Sequence, residues 1–148
     1  MARGDKKKTI QEKTPALRLT NELTEWLLRK LCNERLFPRR SRWLMSGKIA
    51  DMVYDFSAEV YFANEIKAVT LKEWGDRHEA ITLAIARLLA LDVKVNEAVR
   101  VLEIDPDEMQ YFGTLVNNCK AKLEAWLNSD MKRYGSPPGL IHNEGSGQ

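Results

Sequence analysis

Apolar residues recur along this chain in steps of three and four, the spacing that lines one face of an α-helix. The first stripe is Leu23, Trp26, Leu27 and Leu31; the second is Met45, Ile49, Met52, Phe56, Val60, Ala63 and Ile66. The third is Ile81, Ala84, Leu88, Leu91, Val95, Ala98 and Leu102, and the fourth is Met109, Phe112, Val116, Cys119, Leu123, Trp126 and Leu127. No segment combines the period-two alternation and β-branched enrichment of a strand.

Start and stop signals bound these stripes. Thr20 or Asn21 is a good cap for the first helix, with Glu22 close behind to complement the dipole. Pro38 stops it, because the residue before a proline avoids helical angles. The second helix is expected to begin around Arg39 to Ser41, and Thr70 to cap the third. Asp105-Pro106-Asp107-Glu108 is a start signal for the fourth: a capping Asp, a proline in the first turn, then acids at the positive end. Short connections make consecutive helices run antiparallel. The expected fold is therefore all-α, an antiparallel up-down four-helix bundle over residues 19–134. A flexible basic arm at 1–18, broken by Pro15, precedes it, and a disordered Ser/Pro/Gly-rich tail at 135–148 follows.

A length of 148 residues suits one core. No uncharged apolar run reaches the about 18 residues that a membrane span needs. The basic N-terminus leads into no apolar stretch, so it does not read as a secretory signal. Cys32 and Cys119 both fall among apolar helical positions. They are expected to be free, buried thiols of a cytoplasmic protein, a single long-range disulfide being the alternative.

Charge changes the picture more than composition does. The formal net charge is only +2, but residues 1–42 hold twelve Lys and Arg against five Asp and Glu, a net of +7. The remainder holds 11 against 16, a net of −5. Such polarity points to a polyanionic partner or a charged tail. The densest feature is the first interhelix junction, where Arg35, Arg39, Arg40 and Arg42 fall within eight residues, interleaved with Phe37 and Trp43. Arg29, Lys30 and Lys48 flank it. Arginine pairs with phosphate and stacks on bases, and the start of the second helix adds backbone N–H groups at the same place. The plainer reading is a solubilised turn. Cations at a helix N-terminus oppose its dipole, which favours a nearby anion.

Catalytic and metal chemistry find little footing. His78 and His142 are the only histidines, and neither stands three residues after a Glu as a carboxylate-bundle metal site would require. No closely spaced cysteine pair suggests zinc, and no glycine loop suggests a nucleotide. His78 has Asp76 two residues away, a conceivable relay, but a solvated helix end is the simpler reading. Asp92 reads as a boundary carboxylate paired with a cation from a neighbouring helix. No cofactor and no enzymatic activity are expected. Among the aromatics, Trp26, Phe56, Phe112 and Trp126 lie on the stripes and read as core, while Trp43, Trp74, Tyr54, Tyr61, Phe62 and Tyr111 lie off or beside them. Val53, Tyr54, Tyr61 and Phe62 make the second helix apolar on more than one face, which predicts self-association through Tyr54, Tyr61 and Phe62.

The order of these features resembles a known family. A short first helix ends at Phe37-Pro38 and basic residues, a long amphipathic helix follows, the third carries Arg77 and the run Leu88-Leu89-Ala90-Leu91, and the fourth closes with Leu123-Glu124-Ala125-Trp126-Leu127-Asn128-Ser129. Over roughly residues 20–133 this resembles the four-helix-bundle family of the accessory variability determinant of diversity-generating retroelements and of the proteins encoded in intervening sequences of bacterial ribosomal RNA genes. The resemblance rests on pattern and order, without a catalytic motif. It implies a non-enzymatic, pentameric partner of a reverse transcriptase that touches RNA or cDNA through basic surfaces and supports template-primed mutagenic cDNA synthesis. The basic-surface role carries over to Arg39, Arg40 and Arg42. The retroelement branch is strongly basic and this chain is not, a departure that bears on nucleic-acid binding more than on polymerase binding. A regulatory bundle that binds only protein, of the intervening-sequence or phage-defence kind, is the alternative.

Overall fold

The computed structural model describes residues 14–137. The expected arm up to Lys13 and the tail from residue 138 lie outside the described residues, as does His142. Among the described residues the chain is all-helical, with no strand. Four long helices follow in order: α1 (Pro15–Leu31), α2 (Gly47–Glu65), α3 (Leu71–Val101) and α4 (Pro106–Tyr134). Between α1 and α2 lie a 3-10 turn, Arg39–Ser41, and a five-residue π turn, Arg42–Ser46.

The helices begin and end where local chemistry permits. Thr70 caps α3 in a reciprocal box: its hydroxyl accepts from the Glu73 N–H at 3.1 Å, and the Glu73 carboxylate accepts from the Thr70 N–H at 3.1 Å. The Asp105 carboxylate accepts from the Asp107 N–H at 3.1 Å, with Pro106 in the first turn of α4. Gly135, at φ 77°, closes α4 in a conformation that favours glycine. The start of α1 differs from expectation. Pro15 does not break the arm; it opens the helix, where its missing N–H is an orphan donor in any case. Residues 15–18 are therefore helical, Ala16, Leu17 and Leu19 are buried, and Thr20 and Asn21, the two expected caps, both lie inside the helix, Thr20 buried.

All four helices contribute to one hydrophobic core, and α1 packs on α2 and α4, α2 on α3, and α3 on α4. The α3 stripe from Ile81 to Ala98 is buried as its spacing predicts, and so are Met109, Phe112, Val116, Cys119 and Leu123 of α4. On α2 the core face includes Val53, which is fully buried, while Met52 is half-buried. Phe56 and Phe112 are core, whereas Trp26 and Trp126 are only half-buried against it.

Trp74, read from sequence as lying beside the stripe, is 1% exposed. Its indole N–H donates to the Gly135 carbonyl at 3.1 Å and its ring meets Tyr134 at 5.4 Å. The periodicity of α3 missed it because its partners come from the far end of α4. The two cysteines also part company. Cys119 is buried, and burial, followed by the Glu22 charge, pushes its thiol up to about 12 against the opposing effect of the Thr20 hydroxyl. Cys32 sits at the end of α1, free and exposed rather than buried.

A buried ion pair ties these elements together. Arg77 Nε of α3 lies 2.8 Å from Asp130 Oδ2 of α4, with 13% and 5% of the two side chains exposed. Arg77 Nη1 also donates to the Ile66 carbonyl, just past α2, at 3.1 Å. The guanidinium lies 6.0 Å from the Trp126 ring and 5.7 Å from the Tyr134 ring. Breaking such a pair from one side strands a buried charge, which typically costs about 3–5 kcal/mol. Asp130→Ala is expected to lose about that much in urea unfolding, while removal of the exposed Glu25–Arg29 pair changes stability by less than about 0.5 kcal/mol. Equal, small losses in both variants would mean that the buried pair does not organise the fold.

Candidate functional site

From Arg35 to Ala50 the chain contains no acid and five cations: Arg35, Arg39, Arg40, Arg42 and Lys48. The segment begins in the loop after α1, where the Leu36 and Phe37 N–H groups donate to the Asn33 carbonyl at 3.0 and 2.9 Å. That turn drives both side chains inward. Phe37, expected as an aromatic interleaved among the arginines, is 2% exposed and belongs to the core, so it offers no ring to a ligand. Ser41 is buried as well and its hydroxyl donates to the Pro38 carbonyl at 2.7 Å. With Leu36, Phe37 and Ser41 anchored, Arg39 and Arg40 are left on the outside of the 3-10 turn.

The π turn then sets the direction of Arg42 and Trp43. Its widened ring closes through the Gly47 N–H, which donates to the Arg42 carbonyl. Gly47 has an ordinary helical φ of −65°, so backbone freedom is not why glycine stands there. Space is: a Cβ at Gly47 would lie 2.7 Å from the Arg42 carbonyl oxygen. Such one-turn widenings occur often at functional sites. Here it turns Arg42, Trp43 and Leu44 outward while Ser46 is buried, and Trp43 is 86% exposed. Leu44, Met45 and Lys48 line a groove of about 360 Å³ shared with Lys94 and Val101 of α3.

The seven expected contact residues do not form one uniform patch. Lys30 Nζ lies 3.3 Å from Glu108 Oε2 and sits 5.3 Å over the Trp26 ring. Arg35 Nη2 lies 3.5 Å from Glu108 Oε1, and Arg29 lies 3.6 Å from Glu25. These three already have acidic partners. Arg39, Arg40, Arg42 and Lys48 are exposed and have no ion pair among the described residues. The candidate surface centres on those four cations and Trp43, with Arg29 and Arg35 exposed at its margin.

The expected self-association residues divide in the same way. At about 3.6 residues per turn, Tyr54 and Tyr61 share one flank of α2 and Phe62 lies on the other. Tyr61 donates to Asn21 Oδ1 of α1 at 2.9 Å, while Phe62 shares a groove with Leu83 of α3. All three are exposed, but they are not one patch. A longer apolar strip runs along the outer face of α3: Leu83, Ala86, Ala90 and Val93, with Leu89 beside them, all outside the core. Arg87 lies at its margin, 4.0 Å from Asp55 of α2. The spacing of three, four and three is that of a helix-packing seam. It was present in the sequence, hidden because the buried stripe on the opposite face absorbs the same periodicity.

The remaining candidates have plainer surroundings. Asp92 accepts from Asn96 Nδ2 at 3.1 Å, a neighbour on its own helix and not the cation expected from another. His78 is half-buried rather than solvated, edge-on to Trp74 at 5.5 Å, and burial pushes its imidazole below the usual value. No hydrogen bond joins it to Asp76 among the described residues. Among those residues no group of three His, Cys, Asp or Glu is placed to hold a metal, and no helix is long and apolar enough to cross a membrane. Comparison with protein-family models, curated proteins and solved structures returns no match.

Gly→Ala inside an exposed helix normally stabilises by about 0.5–1 kcal/mol. Gly47→Ala is expected to do the reverse and lower the urea midpoint, because the added Cβ must displace the Arg42 carbonyl that closes the π turn. A stabilised variant would show that the turn tolerates α-helical geometry.

Proposed function

We propose that this chain is a non-enzymatic accessory subunit that binds a reverse transcriptase and its RNA or cDNA, supporting the template-primed mutagenic synthesis of a diversity-generating retroelement. The family resemblance of its helix order and of the Phe37-Pro38 junction is the ground for the polymerase partner. The single observation that carries nucleic-acid contact is the acid-free segment with Arg39, Arg40, Arg42 and Lys48 turned outward and without an ion pair among the described residues. Lys48 in the first turn of α2 opposes the helix dipole, and the arginines of the two turns ahead of it add to the same positive field. A phosphate backbone reverses that sign. The bundle is antiparallel, up and down. Support comes from two sets of contacts: Thr14, Asn64, Arg77 and Ser129 line one groove, while Lys30 and Arg35 meet Glu108.

The subunit assembles as a cytoplasmic homo-oligomer, a pentamer if it follows the family it resembles. The uncharged outer face of α3, joined by Phe62 across the α2–α3 groove, is the surface best suited to subunit packing. The same strip favours the second reading, a regulatory bundle that binds only protein, should the arginines prove idle.

Two measurements test the proposal. Arg39, Arg40 and Arg42 replaced together by Glu should weaken RNA binding by about two orders of magnitude or more at low salt. The log–log salt slope should flatten by about two to three, and thermal stability should hold or rise, because acids suit the start of α2. Equal affinity and slope in both proteins would leave the protein-only bundle. Separately, light scattering at micromolar concentration should give about five times the 17.0 kDa chain mass. The pair Leu83→Glu and Val93→Glu should reduce it to one chain with helicity intact; a wild-type mass near one chain would sink the assembly.

A further inference from the structure

Trp43 is the one tryptophan that the fold does not use. Trp74 is buried, and Trp26 and Trp126 pack half-buried against the core. Trp43 is 86% exposed and has no ring partner among the described residues, with Leu44 beside it 74% exposed. An indole of this size normally dominates a core or an interface. This one is held out by a π turn whose two ends are pinned, Ser41 and Ser46 being buried on either side and Gly47 closing the ring. Arg39, Arg40, Arg42 and Lys48 surround it in sequence and carry no acidic partner among the described residues.

We propose that Trp43 is a stacking platform for unpaired bases, which makes single-stranded nucleic acid the ligand of the Arg39–Lys48 face. This rests on the nucleic-acid reading of that face and specifies its ligand. A projecting indole has little to gain from a duplex. In A-form RNA the major groove is deep and narrow, the bases are stacked inside, and a protein meets backbone and 2′-hydroxyls. An unpaired strand offers both things this surface supplies partners for: phosphates for the guanidinium groups and open base faces for the ring. Stacking does not depend on base identity, so the face should hold strands with little sequence preference. Charge also argues against a second copy as the occupant. A two-fold contact through this turn would bring its own unpaired cations together, with no acid between Arg35 and Ala50 to offset them.

The test is fluorescence anisotropy with the full chain, using a labelled 20-nucleotide oligouridylate and a labelled 20-base-pair RNA duplex across a salt series. Trp43→Ala should weaken binding of the single strand by between about five- and a hundredfold. Duplex affinity and both salt slopes should stay within about twofold of wild type. Trp43→Phe should keep most of the single-strand affinity, since a phenyl ring still stacks. Unchanged single-strand binding by Trp43→Ala, or an equal loss on both probes, would overturn the proposal. So would a change in assembly mass on light scattering, which would mark Trp43 as a subunit contact. Failure of the underlying reading looks different. A wild-type protein that binds neither probe removes nucleic acid altogether, whereas binding that depends on the arginines but not on Trp43 removes the stacking platform alone.

Discussion

The pair of Arg77 and Asp130 is the contact on which the rest of the arrangement depends. A charge this deeply buried is tolerated only where its partner and its remaining polar atoms are supplied. Asp130 of α4 supplies the opposite charge at 2.8 Å, the Ile66 carbonyl beyond α2 accepts from Nη1, and the rings of Trp126 and Tyr134 lie 6.0 and 5.7 Å from the guanidinium, so one α3 side chain joins three segments of the fold. Trp74 reinforces the same corner by reaching the carbonyl that closes α4. Hydrophobic stripes are non-directional and tolerate small slides of one helix along another. An ion pair tolerates less, and Arg77 and Asp130 face each other at one level of α3 and α4.

The basic junction is organised by different means. There, burial of Leu36, Phe37, Ser41 and Ser46 fixes the chain at intervals, and the intervening residues are turned outward. The missing Cβ at Gly47 lets the backbone close a wider ring than an α-helix would, which redirects Arg42 and Trp43. Glu108 accounts for the division among the cations. Lying at the start of α4, it meets Lys30 and Arg35 in ion pairs, while Arg39, Arg40, Arg42 and Lys48 have none among the described residues. The electrostatic asymmetry of the sequence thus becomes a local one.

The third helix serves two faces. Its inner stripe, Ile81 to Ala98, is buried in the core, and its outer strip from Leu83 to Val93 stays exposed outside it, with only Leu83 meeting Phe62 across a groove. A helix of 31 residues that is apolar on opposite sides presents more apolar surface than one core can take.

By itself the sequence determined the all-helical class, the caps at Thr70 and Asp105, and most of the core positions of α3 and α4, Trp74, Ala80 and Leu115 being the exceptions. Each of these depends on neighbours within four residues, where spacing and local chemistry decide. It also showed the concentration of arginines. Tertiary structure decided the rest. Pro15 opens α1 rather than breaking the arm because Ala16, Leu17 and Leu19 have a core to enter. Phe37 is withdrawn from the arginine turn into the core, and Trp74 is buried, because their partners lie far away along the chain. Which cations stay unpaired depends on Glu108, more than 70 residues from Lys30 and Arg35. Tyr54, Tyr61 and Phe62, adjacent in composition, separate because a helix turns them to different flanks. Local patterns encode which residues are helical and apolar; only packing between distant segments determines which charge and which ring are left over.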